Sequence, residues 1–508
     1  MSREIELKLR LSPAQGKRLS LSPRLAGLVA EKKQLFNTYY DTPGLELRAR
    51  GIALRLRRQG ANDWRMTVKG GDAGAGGLAQ RREWEAPTAP GCFDFGIVGD
   101  PELRAFLEVR RADLLPVFTT DFLRTAWRLT SPEATVELAL DRGWVKATTV
   151  SGEHREVRET ICEVEIELLQ GQSSDALFDL AIDLAAEFHL HPEIVSKAER
   201  GYALAAGTVA PPLRAATVRI GREATPVEAF RVAAAACLVH LQRNEAGAIA
   251  GRDPEYVHQA RVAIRRLRSA FRIFEPVLSP DFVATYLPRW KRLGEQLGRA
   301  RDWDVLLAET LAPLEAAFPG HAELSFLREA AQARRLTADA AAAGTLKRSE
   351  YSRLLLAFSA ALLRQSEPTI AALAAPEAVT KPRRFAADRL QRQWKKAVVL
   401  ARQCAPATAE HRHCLRIELK KLRYALDFFA PLLPRAEQSR YQALLARLQE
   451  TAGAYHDQVT ATRLIAELRT AGTTDSLVSG WIAGRMQLLS GLFDAEIKRF
   501  LDATPPWR

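Results

Sequence analysis

The first half of the chain alternates polar and apolar residues with a period of two. The first such run begins near the N-terminus, where Glu4, Glu6 and Lys8 alternate with Ile5 and Leu7. Because side chains of a β-strand point alternately to opposite faces, the charged residues share one face and the apolar residues share the other. Taken alone, such a strand is typical of the solvated side of an antiparallel sheet.

Six further segments up to about residue 170 show the same alternation, with their ionisable residues on a single face. They are 51–58, 64–69, 80–85, 122–129, 135–141 and 162–168. Acidic residues concentrate on the first and late strands, and basic residues on the middle ones. We therefore expect an antiparallel sheet that closes with its charged faces inward, although an apolar barrel core with charged faces outward remains the alternative.

Three stretches of helical spacing in this half are predicted to cover the outer apolar faces of the sheet. They are 13–30, 174–189 and 192–204. Their apolar residues recur every three or four positions, which is the periodicity of an amphipathic helix. The first half is thus predicted to be α+β.

The second half of the chain has helical spacing only and contains an internal repeat. His258, with Arg261 and Arg265 after it, returns 155 residues later as the similar run 413–423. We predict an all-α domain over 225–500, made of two helical-bundle units. The predicted boundaries are 1–206 for the first domain, 207–224 for a Pro- and Gly-containing linker, and 225–367 and 382–500 for the two helical units, joined near 368–382.

The net charge of the chain belongs entirely to its second half. The 508 residues carry a formal charge of +13, but residues 1–220 hold 30 basic and 30 acidic residues. Two domains with different electrostatics are therefore expected. No stretch of 18 uninterrupted apolar residues occurs, the N-terminus is charged and the five cysteines are scattered, so we expect a cytoplasmic protein with no membrane association.

Carboxylates gathered in a narrow lumen repel one another by a few kcal/mol per close pair. A divalent cation relieves that repulsion, and all-oxygen ligands suit Mg²⁺ or Mn²⁺. The opposite basic wall then suits the remaining negative charge of a bound ligand. A linear chain of phosphates, held between metal and Arg or Lys side chains, uses every part of such a lumen.

The order of these charged strands resembles the CYTH domain of the triphosphate tunnel metalloenzymes. The resemblance rests on Glu4-x-Glu6-x-Lys8, Arg55-x-Arg57, Lys69, Arg81-x-Glu83-x-Glu85 and Glu163-x-Glu165-x-Glu167, followed by a closing helix with Lys197 and Arg200. It implies an eight-stranded tunnel that binds triphosphate compounds with Mg²⁺ or Mn²⁺ and hydrolyses the terminal phosphate.

The resemblance implies a role for each charged group. The expected metal ligands are Glu4, Glu6, Glu83, Glu85, Asp141, Glu163 and Glu165, with Glu167 ranked last because alternation cannot separate the three late glutamates. Substrate phosphates are expected to bind Arg55, Arg57, Lys69, Arg81, Arg124 and Arg200. Lys8 and Lys197 are expected to act in catalysis together with Glu4 and Glu6, by stabilising charge near the reacting phosphoryl group.

One stripe in each helical copy carries basic residues without interleaved acids. The stripes consist of His258, Arg261, Arg265, Arg268 and Arg272 in the first copy and of His413, Arg416, Lys420 and Arg423 in the second. Like charges at helical spacing repel, so an unpaired stripe indicates a bound polyanion. The stripes lack the aromatic residues that single-stranded nucleic acid binders interleave, so we expect no nucleic acid.

The duplicated helical pattern resembles the CHAD domain, an α-helical module associated with polyphosphate binding. The two resemblances together imply an inorganic triphosphatase that cleaves tripolyphosphate into pyrophosphate and phosphate, with long-chain polyphosphate bound at the helical domain. A nucleotide cyclase or an organic triphosphatase is the enzymatic alternative, for which Tyr39, Tyr40 and Trp64 are the candidate base-stacking residues. A polyphosphate-binding scaffold without turnover is the non-enzymatic alternative.

Overall fold

The structure is a computed structural model that describes residues 2–60, 62–71, 74–149, 155–171, 173–364, 370, 380–403, 408–469 and 476–507. Most of the predicted joint at 368–382 lies outside these residues. The chain divides into two compact units, Met1–Pro211 with Arg348–Glu367, and Pro212–Lys347 with Pro368–Arg508. Among the described helices, none is both long and apolar enough to cross a membrane.

Eight antiparallel strands form the centre of the first unit. They are β1 (Ser2–Arg10), β2 (Ala30–Asp41), β3 (Ile52–Arg58), β4 (Trp64–Gly70), β5 (Leu78–Thr88), β6 (Leu115–Thr130), β7 (Thr135–Thr148) and β8 (Glu156–Gln170). Neighbouring strands follow the order β5-β4-β3-β2-β6-β7-β8-β1, and β1 also pairs with β5, which closes the sheet. The predicted eight-stranded antiparallel tunnel is confirmed. A two-residue strand, β9 (His191–Pro192), pairs with the end of β1.

The helix predicted over 13–30 is wrong beyond its first two turns. Helix α1 (Pro13–Leu19) ends there, and β2, which the alternation did not reveal, begins at Ala30. Two of the apolar residues that suggested a longer helix are exposed, Leu21 by 82% and Val29 by 92%, although Leu25 between them is buried. The first five residues of β2 are all exposed, so the strand shows no buried alternation until Leu35.

The other covering helices of the first unit are α2 (Glu46–Ala49), α3 (Pro101–Arg110), α4 (Asp175–Glu187) and α5 (Lys197–Ala206). Helix α5 starts later than the predicted residue 192 because Pro192 belongs to β9 and Ser196 caps the helix, accepting a hydrogen bond from the Glu199 backbone N–H. The Glu199 side chain in turn accepts from the Ser196 N–H, which completes a capping box and fixes Lys197 at the first helical position.

Another helix of the first unit comes from far along the chain. Helix α11 (Ser349–Leu363) contributes Leu356 and Ala360 to the apolar cluster formed by β1, β8 and α4. Its Ser352 hydroxyl lies 3.0 Å from His189 Nε2 and 2.9 Å from His191 Nδ1. The repeat places this segment in the first helical copy, whereas in the structure it packs with the strands.

The second unit is helical. Its helices are α6 (Pro226–Ala250), α7 (Pro254–Ile273), α8 (Pro280–Val305), α9 (Ala312–Ala317), α10 (Ala322–Leu346), α12 (Pro382–Arg402), α13 (Ala409–Phe429), α14 (Arg435–Leu468) and α15 (Ser476–Asp502). A π-helical turn, Leu306–Leu311, joins α8 to α9.

The 155-residue repeat corresponds to four helices in each copy. It relates α6 to α12, α7 to α13, α8 to α14 and α10 to α15, whose first residues agree within one position, whereas α14 continues eight residues beyond the position equivalent to the end of α8. Within a copy the four helices pack in the same cyclic order, and α7 contacts α13 across the copies. The predicted all-α half with two helical-bundle units is thus present, and α11 lies outside the repeat.

Candidate functional site

A cavity of about 520 Å³ opens inside the closed sheet of the first unit. Seven basic side chains line it, namely Lys8, Arg55, Arg57, Lys69, Arg81, Arg124 and Lys197, together with six acidic ones, namely Glu4, Glu6, Glu83, Glu85, Glu165 and Glu167. The charged faces of the strands therefore point inward, and the apolar faces pack against the covering helices.

The closing of the sheet gathers the acids on one side of the cavity. Strands β7, β8, β1 and β5 are consecutive neighbours, and they carry all the acidic residues of the site. Strands β3, β4 and β6 carry Arg55, Arg57, Lys69 and Arg124. Three cations, Lys8, Arg81 and Lys197, lie among the acids instead. Alternation already put Lys8 on one face with Glu4 and Glu6, and Arg81 with Glu83, but it could not place Lys197, which α5 supplies.

Three buried carboxylates, those of Asp141, Glu163 and Glu165, form one acidic group. Each offers one oxygen, and these oxygens lie within 4.8 Å of one another. The Lys197 ammonium donates to Asp141 at 2.7 Å and to Glu165 at 2.9 Å, and it also pairs with Glu163. Arg124 binds Asp141 through two hydrogen bonds of 2.8 and 2.7 Å and contacts Glu165 as well.

This triad fits a divalent cation by the chemistry of its donors. Three carboxylates on adjacent strands supply an all-oxygen set of the kind that Mg²⁺ and Mn²⁺ accept. Register produces the group, because Asp141 pairs with Glu163 across β7 and β8, and Lys8 pairs with Glu165 across β1 and β8. The space among the three carboxylates already receives a positive charge, that of Lys197.

A second acidic group lies on β1, β5 and the end of β8. Lys69 donates to both carboxylate oxygens of Glu4 at 2.8 Å and lies 3.1 Å from Glu83. Burial, together with the charges of Glu4, Glu6 and Glu83, raises the pKa of Glu167 to about 7. Glu167, ranked last from the sequence, therefore faces the cavity in the least compensated acidic surroundings.

Glu85, which the sequence predicted as a metal ligand, lies instead on the basic side. It accepts a hydrogen bond of 2.9 Å from Thr67 and pairs with Arg65 at 3.1 Å. Although burial alone would raise its pKa, the charges of Arg55 and Arg57 lower it. In this arrangement Glu85 compensates arginines rather than joining the other acids.

The basic side is only partly compensated. Burial and the charges of Arg55 and Arg124 together lower the pKa of Arg57 to about 10. Arg57 Nε donates to Asn37 at 2.8 Å. Across the cavity, the buried Nε of Arg81 makes no hydrogen bond within the described part of the chain. The surplus of positive charge at Arg57 and the free donor of Arg81 favour an anionic ligand in the cavity between the two sides.

The pKa values of two lysines on the acidic side, Lys8 and Lys197, shift in the opposite direction to that of Arg57. Burial would lower the pKa of Lys8, but Glu6 and Glu165 outweigh it and raise the pKa. The same balance raises the pKa of Lys197, where the carboxylates of Asp141 and Glu163 outweigh burial. Both ammonium groups therefore keep their charge at neutral pH.

Arg200 and two of the three candidate base-stacking residues do not line the cavity. Arg200 donates to Glu159 at 2.7 Å and to Glu163 at 3.3 Å, so it lies behind the triad. Of the candidate base-stacking residues, Tyr39 lines the cavity, but its ring is stacked on Phe118 with centroids 4.4 Å apart. Tyr40 and Trp64 pack against an outer apolar cluster. Ser196, which also lines the cavity, was not predicted from the sequence.

In the second unit, the two basic stripes converge where α7 contacts α13. Burial, together with the charges of Arg265, Arg416 and Arg261, lowers the pKa of Lys420 to about 6. Burial likewise lowers the pKa of Arg416 to about 10, with Arg265 and Arg261 adding to the effect despite the nearby Asp457. These four cations form a cluster to which both helical copies contribute.

The histidines stand at the edge of this cluster. Burial lowers the pKa of His258 to about 4, helped by Arg301, and that of His456 to about 3, helped by Arg416. His413 Nδ1 lies 3.3 Å from His456 Nδ1. All three imidazoles are therefore neutral at physiological pH or only weakly charged.

The ends of the stripes leave the cluster. Arg268 lines a cavity between α7 and α8, and Arg272 is exposed near the end of α7. Arg423 lies over the Tyr424 ring with its guanidinium carbon 5.4 Å from the centroid. The Tyr424 hydroxyl accepts a 2.5 Å hydrogen bond from Arg265, a contact across the copies that the sequence did not reveal, and its ring is buried.

Comparison with known proteins identifies both halves. Residues 2–202 match the CYTH domain model, and residues 232–466 match the CHAD domain model. An inorganic triphosphatase from Haemophilus influenzae is 33% identical over 210 residues, which cover 40% of this chain and 55% of that protein. The matched region thus spans about half the length of that relative.

Two solved structures are also similar. The CHAD domain from the plant Ricinus communis is 32% identical, with a TM-score of 0.48, and the match covers 58% of this chain and 98% of that one. A Hippeastrum protein described as having a dominant triphosphatase activity is 21% identical, with a TM-score of 0.30, and the match covers 41% of this chain and 98% of that one. With a closed eight-stranded tunnel and a duplicated helical unit matching the two models, the chain combines a CYTH domain with a CHAD domain.

Proposed function

We propose that the first unit is a divalent-metal-dependent triphosphatase that hydrolyses inorganic tripolyphosphate to pyrophosphate and phosphate. The observation that carries this proposal is the cavity of about 520 Å³ with an acidic side and a partly compensated basic side. The inorganic triphosphatase of Haemophilus influenzae, similar over the same half of the chain, supports it. Mg²⁺ or Mn²⁺ as the metal and a cytoplasmic location remain predictions from the sequence.

The metal would be held by Asp141, Glu163 and Glu165, with Glu4 and Glu6 on the neighbouring strand. When bound, a divalent cation makes water a better nucleophile and shields the charge of phosphate oxygens. Lys197 contacts all three carboxylates, so a bound cation would compete with its ammonium for their oxygens. The ammonium would then be available to a phosphate beside the triad.

The remaining residues bind and position the phosphate chain. The lowered pKa of Arg57 and the Nε of Arg81, which lacks a hydrogen bond among the described residues, support a role for both in binding an anion. Arg55, Lys69 and Arg124 line the cavity beside Arg57. Lys8, whose charge is secured by Glu6 and Glu165, stabilises negative charge that develops on the reacting phosphoryl group.

The test is phosphate release from tripolyphosphate, ATP and thiamine triphosphate, each with Mg²⁺ or Mn²⁺. Glu4→Ala is expected to reduce tripolyphosphate hydrolysis at least a hundredfold. Glu31→Ala serves as the control because Glu31 is an exposed residue of β2 that pairs only with Lys33 among the contacts described.

Each outcome of this test separates the alternatives. Equal release by wild type and Glu4→Ala would contradict a tunnel active site. Preference for ATP or thiamine triphosphate would favour the organic triphosphatase or cyclase, against which the stacked Tyr39 ring already argues. Tripolyphosphate binding without any release would favour the scaffold.

We further propose that the second unit binds long-chain inorganic polyphosphate at the cluster of Arg261, Arg265, Arg416 and Lys420. The lowered pKa values of Arg416 and Lys420 support this, because an unbound cluster of like charges lacks the counter-charge that a polyanion brings. A flexible phosphate chain needs only charge, whereas the buried Tyr424 ring offers no stacking platform for a base.

The test is titration with long-chain polyphosphate of the full chain carrying Arg265→Glu and Lys420→Glu. Binding is expected to fall at least a hundredfold, because two attractive charges become repulsive. Arg292→Glu with Lys395→Glu is the control, matched in residue type and located at exposed positions of α8 and α12. Unchanged binding in the cluster variant would contradict the proposal, and equally tight binding of single-stranded DNA by wild type would favour nucleic acid.

A further inference from the structure

The two helical copies differ beside the basic stripe. In the first copy a cavity of about 280 Å³ lies between α7 and α8, which we call the notch. Its charged lining residues are Arg261, Arg265, Arg268, Arg299, Glu295 and Asp302. Two glycines of α8, Gly294 and Gly298, form the wall opposite the arginines.

The absence of a side chain at Gly294 keeps the notch open. A Cβ atom at this position would lie 3.1 Å from Ile264 Cγ2 and 3.7 Å from Arg268 Nη1. The first contact is tighter than most side chains tolerate, and any longer side chain would extend into the space in front of Arg268. The space in front of Arg268 is therefore open because residue 294 is a glycine.

In the second copy the same space holds a side chain. The repeat relates Gly294 to Gln449 and Ile264 to Leu419. Gln449 is buried, and its Nε2 donates a 2.7 Å hydrogen bond to the Leu419 backbone oxygen. The repeat also relates Arg299 to Ala454. The second copy thus has one more side chain in this space and one cation fewer.

The acids of the notch have cationic partners of their own. Asp302 lies 3.5 Å from Arg261 and 3.8 Å from Arg463, and Glu295 lies 3.8 Å from Lys291. Four arginines line the notch against these two acids, so part of the positive charge at Arg268 and Arg299 stays uncompensated. A phosphate there would add the counter-charge that the first copy lacks.

We propose that the notch binds the terminal phosphate of a polyphosphate chain whose internal phosphates lie along the cluster. A terminal phosphate has one more ionisable oxygen than an internal one, and the notch has one more arginine than its counterpart. Arg268 and Arg299 bind these terminal oxygens. This assignment rests on the proposed binding of polyphosphate by the second unit and adds to it a preference for chain ends.

The experiment compares a linear polyphosphate with a cyclic one of similar charge, which has no ends. Each is titrated calorimetrically into the full-length chain in the presence of a chelator. Every variant is measured beside the same variant carrying Arg265→Glu, and the difference reports on the second unit alone. Circular dichroism checks that each variant is folded.

Gly294→Gln reproduces the second copy and is expected to weaken binding of the linear compound about tenfold, as for loss of one charged hydrogen bond. Binding of the cyclic compound is expected to stay unchanged. Gly344→Gln is the control, since a Cβ atom at this helical glycine of α10 meets nothing within 4 Å.

Arg299→Ala tests the same assignment without filling space, because Arg299 is exposed. It is expected to weaken binding of the linear compound severalfold and to leave binding of the cyclic compound unchanged. Arg292→Ala on the same helix is the control. Equal losses for both compounds, or none for either, would overturn the terminal-phosphate assignment while leaving polyphosphate binding intact. No difference between wild type and Arg265→Glu would overturn both proposals.

Discussion

Both units gather cationic side chains, but only the first surrounds them with carboxylates. In the tunnel, burial would lower the pKa of Lys8, Lys69 and Lys197, yet the neighbouring acids reverse the effect and raise all three values. In the helical unit nothing reverses it, and the pKa of Lys420 falls to about 6. Similar side chains at similar burial thus take opposite shifts.

The difference shows two ways of preparing a surface for phosphate. Tunnel cations are held in place and charged by acids, so the site is organised before its ligand arrives. The helical cluster carries strain from like charges, and a polyanion removes that strain on binding. The first arrangement suits positioning of a reacting group, and the second suits affinity for a long chain.

Removal of divalent metal is expected to separate the two units most sharply. With a chelator, tripolyphosphate hydrolysis is expected to fall by a factor of about a thousand or more, because in the proposed function a metal would activate the attacking water and shield phosphate charge. Polyphosphate binding by the second unit is expected to persist, since it depends on protein cations alone. Phosphate release and calorimetry on the same sample measure both, and loss of both functions together would break the comparison.

The next largest effect is expected from Lys197→Met. Removing the ammonium leaves Asp141, Glu163 and Glu165 buried with less compensation, which typically costs about 3–5 kcal/mol. Denaturant unfolding followed by a probe of the first unit measures the loss of stability. Lys17→Met, at an exposed position of α1, is the control and is expected to change stability by less than about 0.5 kcal/mol. A stable Lys197→Met protein would show that the acids are not held by this cation.

Lys420→Met is expected to have the opposite sign. Burial and like charges disfavour the charged form of Lys420 in the folded protein, so removing the amine is expected to raise the free energy of unfolding of the second unit by about 1 kcal/mol. Polyphosphate affinity is expected to fall about tenfold at the same time, since one attractive charge is lost. Thermal unfolding and calorimetry measure the pair of effects, with the exposed Lys395→Met as the control. Destabilisation by this substitution would contradict an uncompensated cluster.

The smallest effect concerns pH. Because the pKa of Lys420 is about 6 in the folded protein and about 10.4 in the unfolded chain, the unfolded state binds more protons between these values. With respect to Lys420, the free energy of unfolding is therefore highest above the pKa of the unfolded chain, and it decreases as pH falls toward 6. A bound polyanion favours the charged lysine, so affinity is expected to rise severalfold from about pH 8 to about pH 6.

Lys420→Arg is the matched variant for this measurement, since the first copy has Arg265 at the equivalent position. An arginine stays charged throughout this range, so the pH dependence of binding is expected to flatten. His258 and His456, with pKa values of about 4 and about 3, do not titrate there. If the pH dependence of binding remained in Lys420→Arg, a titratable group other than Lys420 would be responsible for it.

Alternation revealed most strands and their charged faces because a period of two is a local property of the sequence. It did not reveal how deeply each residue of a strand is buried in the tunnel. Glu163, Glu165 and Glu167 share a face, yet Glu163 is buried in the triad while Glu167 faces the cavity with a pKa of about 7. That distinction depends on register, such as the pairing of Lys8 with Glu165, which involves strands more than 150 residues apart.

Helical periodicity had a similar limit. It identified the repeat, but the apolar pattern of 13–30 was continued past α1 by Leu21 and Val29, both of which are exposed. The contact of Tyr424 with Arg265 also lay beyond reach, because it joins equivalent helices of the two copies. In each case the missing information concerned the partner of an element rather than the element itself.

Helix α11 has a consequence for how this gene can be divided. The chain passes between the two units three times, because Arg348–Glu367 returns to the first unit from within the region that matches the CHAD domain. A protein truncated after Pro211 would retain all eight strands but lose Leu356, Ala360 and the hydroxyl shared by His189 and His191. Recombination at the linker would therefore not transfer a complete domain. A fragment that keeps the first unit whole has to include α11 as well, so it is longer than the CYTH match.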